Sequence, residues 1–302
     1  MIDLAIVIPT RNAGRYFEQV LAAVRAQSGV AIRSIVVLDS ESTDETLAIA
    51  ERFGAEIVPV EVAHFNHGLV RGEGVRRTRT DLVVLLTQDA LLARTDTLAR
   101  MSAHFRDERV AGVYVRQVAR PEDETRLQRR WERQVPQERR IKVQEAPKGT
   151  YEDLSTAERF NLCVFDDVCS MIRRSAFDEH PFREAAFAED RLWARDVIRA
   201  GWNIVYDGTI EVIHSHARGP AERIERIFDN HRAMQRYFGY RFVKNPVDFA
   251  IYAAKAAYGA AIEAASEGLG VKGIAREAFD ALRGAFAALA GTLIGAAERR
   301  VP

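Results

Sequence analysis

Short apolar runs rich in β-branched residues, each followed by a polar turn and an amphipathic stretch, recur through the first third of the chain, and no other feature restricts the fold as much. Leu4 to Ile8 passes through a turn, Pro9 to Gly14, into Tyr16 to Ala26, where Phe17, Val20, Leu21 and Val24 fall at helical spacing. The unit repeats with a strand at Ser34 to Leu38, a loop at Asp39 to Thr43, a helix at Asp44 to Phe53 and a strand at Glu56 to Val60. A helix is predicted over Leu69 to Arg77, then a strand over Leu82 to Leu86 that ends at Thr87-Gln88-Asp89-Ala90. Apolar runs without polar alternation, separated by helices, predict an α/β fold with parallel strands buried on both faces.

Further along, Val110 to Val118 reads as a strand, and the highly charged Pro121 to Gly149 as a long helix and a loop, its apolar bulk at Leu127, Trp131, Val135 and Ile141. Val164 to Met171 follows as an apolar segment, then a helix at Glu189 to Ala200 and a strand at Asn203 to Ile213 that runs into His214-Ser215-His216. Beyond Asn245-Pro246 the composition turns to Ala and Gly in two or three amphipathic helices. The domains expected are therefore 1–244 and a helical extension over 245–302.

Composition removes several classes of function. Lys+Arg and Asp+Glu both number 43, so no whole-molecule field draws the chain to nucleic acid. The two cysteines, Cys163 and Cys169, read as reduced thiols of a reducing compartment. The N-terminal apolar run has no basic leader and stops at Pro9, which predicts a cytoplasmic protein. The stretch Ala285 to Ala297 is shorter than the roughly 18 apolar residues that cross a bilayer, so no span is expected.

In open α/β sheets ligands collect outside the carboxyl ends of the strands. Those exits carry Thr10, Arg11 and Asn12, then Asp39 and Ser40, then Gln88 and Asp89. Carboxylates at two adjacent exits, as Asp39 and Asp89 are expected to be, suit a nucleotide and a divalent cation, although each could equally cap the helix that follows it. His214 and His216, two apart at a strand end, project to one face and could meet a cation or a phosphate, or be structural. Glu189 and Asp190 open a helix, where carboxylates are also favoured as simple caps.

Taken in order, Ile6 to Asn12 (IVIPTRN), Val36 to Thr46 (VVLDSESTDET), Phe65 to Gly74 (FNHGLVRGEG), Leu85 to Ala90 (LLTQDA), Ala188 to Asp190, Arg191 to Trp202 and Val212 to Arg218 (VIHSHAR) resemble the family 2 glycosyltransferases of GT-A fold. The resemblance covers about residues 2 to 220. The FNHG and TQDA segments, with Val115 to Gln117 and Val168 to Ser170, look most like bacterial rhamnosyltransferase-type members. It implies a Rossmann-like, mostly parallel central sheet with flanking helices. It puts a nucleotide-sugar, dTDP- or UDP-linked, against Pro9, Thr10, Arg11, Asn12, Asp39, Ser40, Asn66, His67, Gly68, Arg71, Gln88 and Asp89, with Arg71 approaching the diphosphate. It makes Asp190 the general base, sets Arg116, Gln117 and Glu189 toward donor sugar or acceptor, and assigns Mg²⁺ or Mn²⁺ to Asp89 with His214 or His216. The family's usual Asp-x-Asp stands here as Thr87-Gln88-Asp89, Arg11 replaces an aromatic, and Gly72 stands where Asn often follows the arginine.

The function implied is inverting transfer of a sugar, L-rhamnose from dTDP-rhamnose, to a glycan or lipid-linked acceptor hydroxyl in cell-surface polysaccharide synthesis. The alternatives are the same enzyme class with a UDP-hexose donor, or a non-catalytic nucleotide-sugar-binding partner in a glycan-assembly complex. The tail carries Phe249, Ile251, Tyr252, Tyr258, Phe279, Leu282, Phe286, Leu289, Leu293 and Ile294, and such faces are expected to be buried on the catalytic domain, on a twin subunit or at the inner membrane surface through 247–300.

Overall fold

The computed structural model describes residues 1–120, 137–146, 151–214 and 219–299. Two compact units divide the chain, one of 1–153 with 161–217 and the other of 154–160 with 218–302.

The first unit is built on a nine-stranded sheet. Strands β1 (Ile2–Thr10), β2 (Val30–Asp39), β3 (Glu56–Pro59) and β4 (Leu82–Leu86) lie parallel in the order β3-β2-β1-β4. The sheet continues through β8 (Cys169–Arg173), β6 (Val110–Val118), β9 (Asn203–Ile213) and the short β5 (Leu91–Leu92), with β7 (Ile141–Gln144) paired to β9. β6 and β9 are parallel, whereas β8 runs antiparallel to both its neighbours.

The sheet is thus mostly parallel, as expected, and the reversal at β8 matters for the site. Because β8 points the other way, its amino end lies at the edge where β1, β2, β4, β6 and β9 have their carboxyl ends. The residues that lead into it therefore join the strand exits. The segment itself begins at Cys169, not Val164, since Val164 to Val168 approaches as a loop. The Pro121 to Gly149 segment contains the strand β7, where a helix and a loop were expected; 121–136 and 147–150 lie outside the described residues. β1 lies between β2 and β4, so Asp39 and Asp89 are not at adjacent exits.

Helices cover both faces. Helix α1 (Phe17–Arg25) seats Phe17, Val20, Leu21 and Val24 against Leu4, Ile6 and Ile8. α2 (Thr46–Arg52) starts where Asp44 Oδ1 accepts from the Thr46 amide, 3.0 Å. On the opposite face α3 (His67–Arg77) lies so close to the sheet that a Cβ on Gly74 would stand 2.4 Å from Val7 Cγ1 and 2.7 Å from Leu38 Cδ1. Only glycine permits that approach. α4 (Thr97–Ala103) precedes β6, and α6 (Arg174–Glu179) and α7 (Glu189–Arg199) connect β8 to β9, after the short α5 (Thr156–Leu162).

The second unit consists mainly of α8 (Pro220–Phe238), α9 (Pro246–Ser266) and α10 (Val271–Glu298). It begins earlier than the compositional change at Asn245, because α8 packs along α10. A Cβ on Gly291 would lie 2.2 Å from Phe228 O and one on Gly295 2.3 Å from Arg232 O, so these small residues form the contact. The guanidinium of Arg232 then forks onto Glu298, with Nε 2.9 Å from Oε2. The buried residues of α10 are Gly284, Ala285, Ala288, Gly291, Thr292 and Gly295. Phe279, Phe286 and Leu293 stay exposed, so the large apolar side chains are not the ones buried here. α10 is also long and apolar enough to cross a membrane by length and composition, with mean hydropathy 1.2 over 18 residues, because the helix continues through Asp280 and Arg283.

Candidate active site

The exits of β1, β2 and β4 are bonded into one frame. Asp39, buried, accepts from Thr10 Oγ1 at 2.9 Å, from the Ser42 amide at 2.9 Å and from Ser42 Oγ at 2.5 Å. Asn12, at φ 45°, accepts the Thr43 amide at 2.8 Å and donates its own amide to Ser42 Oγ, 2.8 Å. Gln88 accepts the Arg11 amide at 2.8 Å and donates to the Arg11 carbonyl at 3.3 Å. In the Thr87-Gln88-Asp89 segment the glutamine thus ties the β4 exit to the β1 exit. Ser40 is buried with its amide on the Thr10 carbonyl, 2.8 Å, and Pro9 pairs with Leu38 in the sheet. Thr10, Arg11, Asn12, Asp39 and Gln88 thus lie together, with Ser42 and Thr43, which the sequence did not single out, bonded among them.

Asp89 and His214 form the second group. Asp89 Oδ1 stands 3.5 Å from His214 Nε2, and the other ring nitrogen, Nδ1, lies 2.9 Å from Gln117 Oε1. Gln117 is buried and donates its Nε2 to Asp166, a carboxylate that also accepts the Val168 amide at 3.0 Å. Donation to Asp166 leaves Gln117 only its carbonyl for His214. Nδ1 therefore carries a proton, and Nε2 is turned to Asp89. Arg120, at the end of β6, donates to the Asp89 carbonyl and lays its guanidinium 3.9 Å from the Tyr16 ring centroid, which places a cation beside Asp89. Arg116 turns away, into an ion pair with Glu211 and a 3.2 Å bond to the Gly208 carbonyl. His216 lies outside the described residues.

The third group surrounds Asp190. Ala188, in the left-handed region at φ 64°, delivers Glu189 and Asp190 as the first residues of α7. Glu189 Oε1 accepts from Arg71 Nη1 at 2.6 Å, and Asp167 Oδ2 is 3.8 Å from the same nitrogen. Burial presses against the Arg71 cation, but Asp167, Glu189 and Asp190 outweigh it and hold it charged. Burial raises Asp190 well above the usual carboxylate range, reinforced by Glu189, Asp167 and Asp166 and opposed by Arg191. Asp167, buried and bonded by Ser170 Oγ at 3.0 Å, is pushed up to about 7 by burial and by Glu189, against the pull of Arg71.

The FNHG residues face this group. Asn66 caps α3 through Oδ1, and its Nδ2 donates to the Ala185 carbonyl at 2.8 Å. Gly68 lies under Arg183, and His67 is exposed, its ring edge-on to Phe65 at 4.8 Å. Asp166, Asp167 and Arg120 were missed in the sequence because the first two precede an antiparallel strand and the last lies beyond the VRQ segment.

A largely parallel sheet with helices on both faces and polar side chains gathered at its strand exits has the architecture of a GT-A, nucleotide-sugar-dependent glycosyltransferase. The chain belongs to glycosyl transferase family 2, whose profile matches residues 5–180. It is 31% identical over 264 residues to the O-antigen chain rhamnosyltransferase RfbN of Salmonella typhimurium, covering 82% of this chain and 81% of that protein. To WbaN, an O-antigen chain rhamnosyltransferase of Salmonella anatum, identity is 29% over 269 residues, with the same coverage. Among solved structures, the mannosyltransferase PcManGT of Pyrobaculum calidifontis in complex with GDP-Man and Mn²⁺ aligns with TM-score 0.60 at 19% identity, over 95% of this chain and 86% of that one. S. aureus TarS with UDP-GlcNAc aligns with TM-score 0.53 at 15% identity, over 93% and 80%.

Proposed function

We propose that the protein is an inverting rhamnosyltransferase that takes L-rhamnose from dTDP-rhamnose to an acceptor hydroxyl of a growing cell-surface polysaccharide. The carrying observation is Asp190, a carboxylate at the head of α7 made proton-avid by burial and by its acidic neighbours. The acceptor oxygen attacks the anomeric carbon, its proton passes to Asp190, and the bond from that carbon to the diphosphate breaks in the same displacement. Kinship to two O-antigen rhamnosyltransferases supports the sugar.

Thr10, Asn12, Asp39 and Ser40 hold the base and ribose in this proposal, with Gln88 keeping their loops in register. Asp89 and His214 would hold Mg²⁺ or Mn²⁺; a carboxylate oxygen and an imidazole nitrogen 3.5 Å apart fit such an ion. Among the described residues no group of three or more His, Cys, Asp or Glu forms a complete protein cage, which suits an ion shared with a substrate. Bound there, it would supply charge neutralisation for the departing diphosphate. Arg120 adds a cation at the same place.

The exposed Phe279, Phe286 and Leu293 of α10 support peripheral contact with the inner membrane face, where a lipid-linked acceptor would be met. Release of dTDP from dTDP-rhamnose, with Mn²⁺ and with EDTA, tests the proposal. Turnover of UDP-glucose in preference would keep the enzyme class and discard the sugar, and no turnover of either would favour a binding role. Liposome flotation tests the membrane contact.

A further inference from the structure

Three features of the first turns of α3 converge on one short segment. Asn66 Nδ2 donates to the carbonyl of Ala185, 2.8 Å. Gly68 sits where a Cβ would be 2.5 Å from Arg183 O and 3.2 Å from Glu189 Cβ, so the backbones touch. Arg71, one turn on, grips Glu189 at 2.6 Å and is almost wholly buried. The segment they hold, 183–189, ends in the left-handed Ala188 and has no side-chain cap on α7, so its path is not fixed by its own local bonds. Further ties run through Phe182, on Trp193 of α7 (5.6 Å) and Phe177 of α6 (5.8 Å), and through Arg183 on Asp196 (2.8 Å). Trp193 seats the body of α7 against Gly112 of β6, whereas the loop and the first turn that carries Asp190 rest on α3.

We infer that Asn66, Gly68 and Arg71 are positioning residues that clamp the loop 183–189, and through it Asp190, against the sheet-bound helix α3. The inference rests on Asp190 being the base. α3 is itself fixed to β1 and β2 through Gly74, so the clamp refers the position of Asp190 to the strands whose exits form the donor frame. A displacement of about 1 Å in a reacting group can cost on the order of a hundredfold in rate.

Asn66→Asp is the informative variant. Its Oδ1 still caps α3, and a negative charge suits a helix N-terminus, but the donor to Ala185 O is gone and an oxygen faces that carbonyl. It should fold with a near-native Tm, bind dTDP with Mn²⁺ as the wild type does, keep KM for donor, and lose roughly ten- to hundredfold in kcat. Gly68→Ala should behave alike. Combined with Asp190→Asn, each should reduce the residual turnover no further, because residues that act through one group are not additive. Weaker dTDP binding with unchanged kcat would make these residues donor contacts, and equal losses in both backgrounds would make them merely structural; either result overturns the clamp. If Asp190→Asn alone retains wild-type turnover, the base assignment falls first. If it loses turnover while Asn66→Asp and Gly68→Ala do not, the clamp alone falls.

Discussion

Asp89 and His214 come from strand exits separated in the sheet by β8 and β6, yet Oδ1 of one stands 3.5 Å from Nε2 of the other. Gln117 accepts at Nδ1 and so sets the ring with Nε2 toward that oxygen. Asp89→Ala and His214→Ala should each weaken dTDP binding in Mn²⁺ and change it little in EDTA. Gln117→Leu, which frees the ring, should cost roughly 10- to 100-fold in Mn²⁺ affinity, measured by titration calorimetry. Wild-type binding and turnover indifferent to EDTA would remove the ion from this site.

Asp190→Asn keeps the shape of the side chain and removes its proton acceptor. Turnover should drop roughly 10²- to 10⁴-fold with nucleotide affinity intact. Since burial and three acidic neighbours raise Asp190, the acid limb of the wild-type rate profile should lie above the ordinary carboxylate range, and turnover should climb with pH through it. A limb at the usual value would point to another base.

Asp167 gives a stability signature. Its folded pKa is raised to about 7, by burial first and Glu189 next, with Arg71 opposing, so the native chain keeps a proton that the unfolded chain releases. That contribution is fully present below the unfolded carboxylate pKa and is lost as pH rises through about 7. The Tm of Asp167→Asn, whose Oδ1 can still accept from Ser170, should gain on the wild type between pH 5 and pH 8, by differential scanning fluorimetry. A difference independent of pH would mean that Asp167 is ionised throughout.

Bound ligand stabilises the native state by mass action, so the donor can be ranked without an acceptor. dTDP-rhamnose should raise Tm more than UDP-glucose or UDP-N-acetylglucosamine at equal concentration with Mn²⁺. A larger shift with a UDP-hexose would overturn the proposed sugar.

Much of the scaffold was legible because local pattern and tertiary role agree. Val110–Val118 and Asn203–Ile213 have the predicted limits, and the exits of β1, β2 and β4 carry the residues singled out there. The direction of β8 was not legible, since a buried strand looks the same from either end, and with it went Asp166 and Asp167. Nor did residue type reveal that Arg71 faces inward: an arginine after a helix cap looks like an anion binder until Glu189, far along the chain, supplies the anion. In α10 the hydrophobic pattern pointed the wrong way, because close helix contact uses Gly and Ala while Phe279 and Phe286 lie outside it.

Gly68 meets the main chain of Arg183 and not its side chain. The loop is thereby held by where its backbone runs, so the identities of Glu184 and Ala186 are free to drift while its length is not. A one-residue insertion there would shift the carbonyls of Arg183 and Ala185 out of their seats at once. Variation in acceptor preference among related chains would then have to arise through side chains borne on this loop, with its span from Arg183 to Glu189 kept constant.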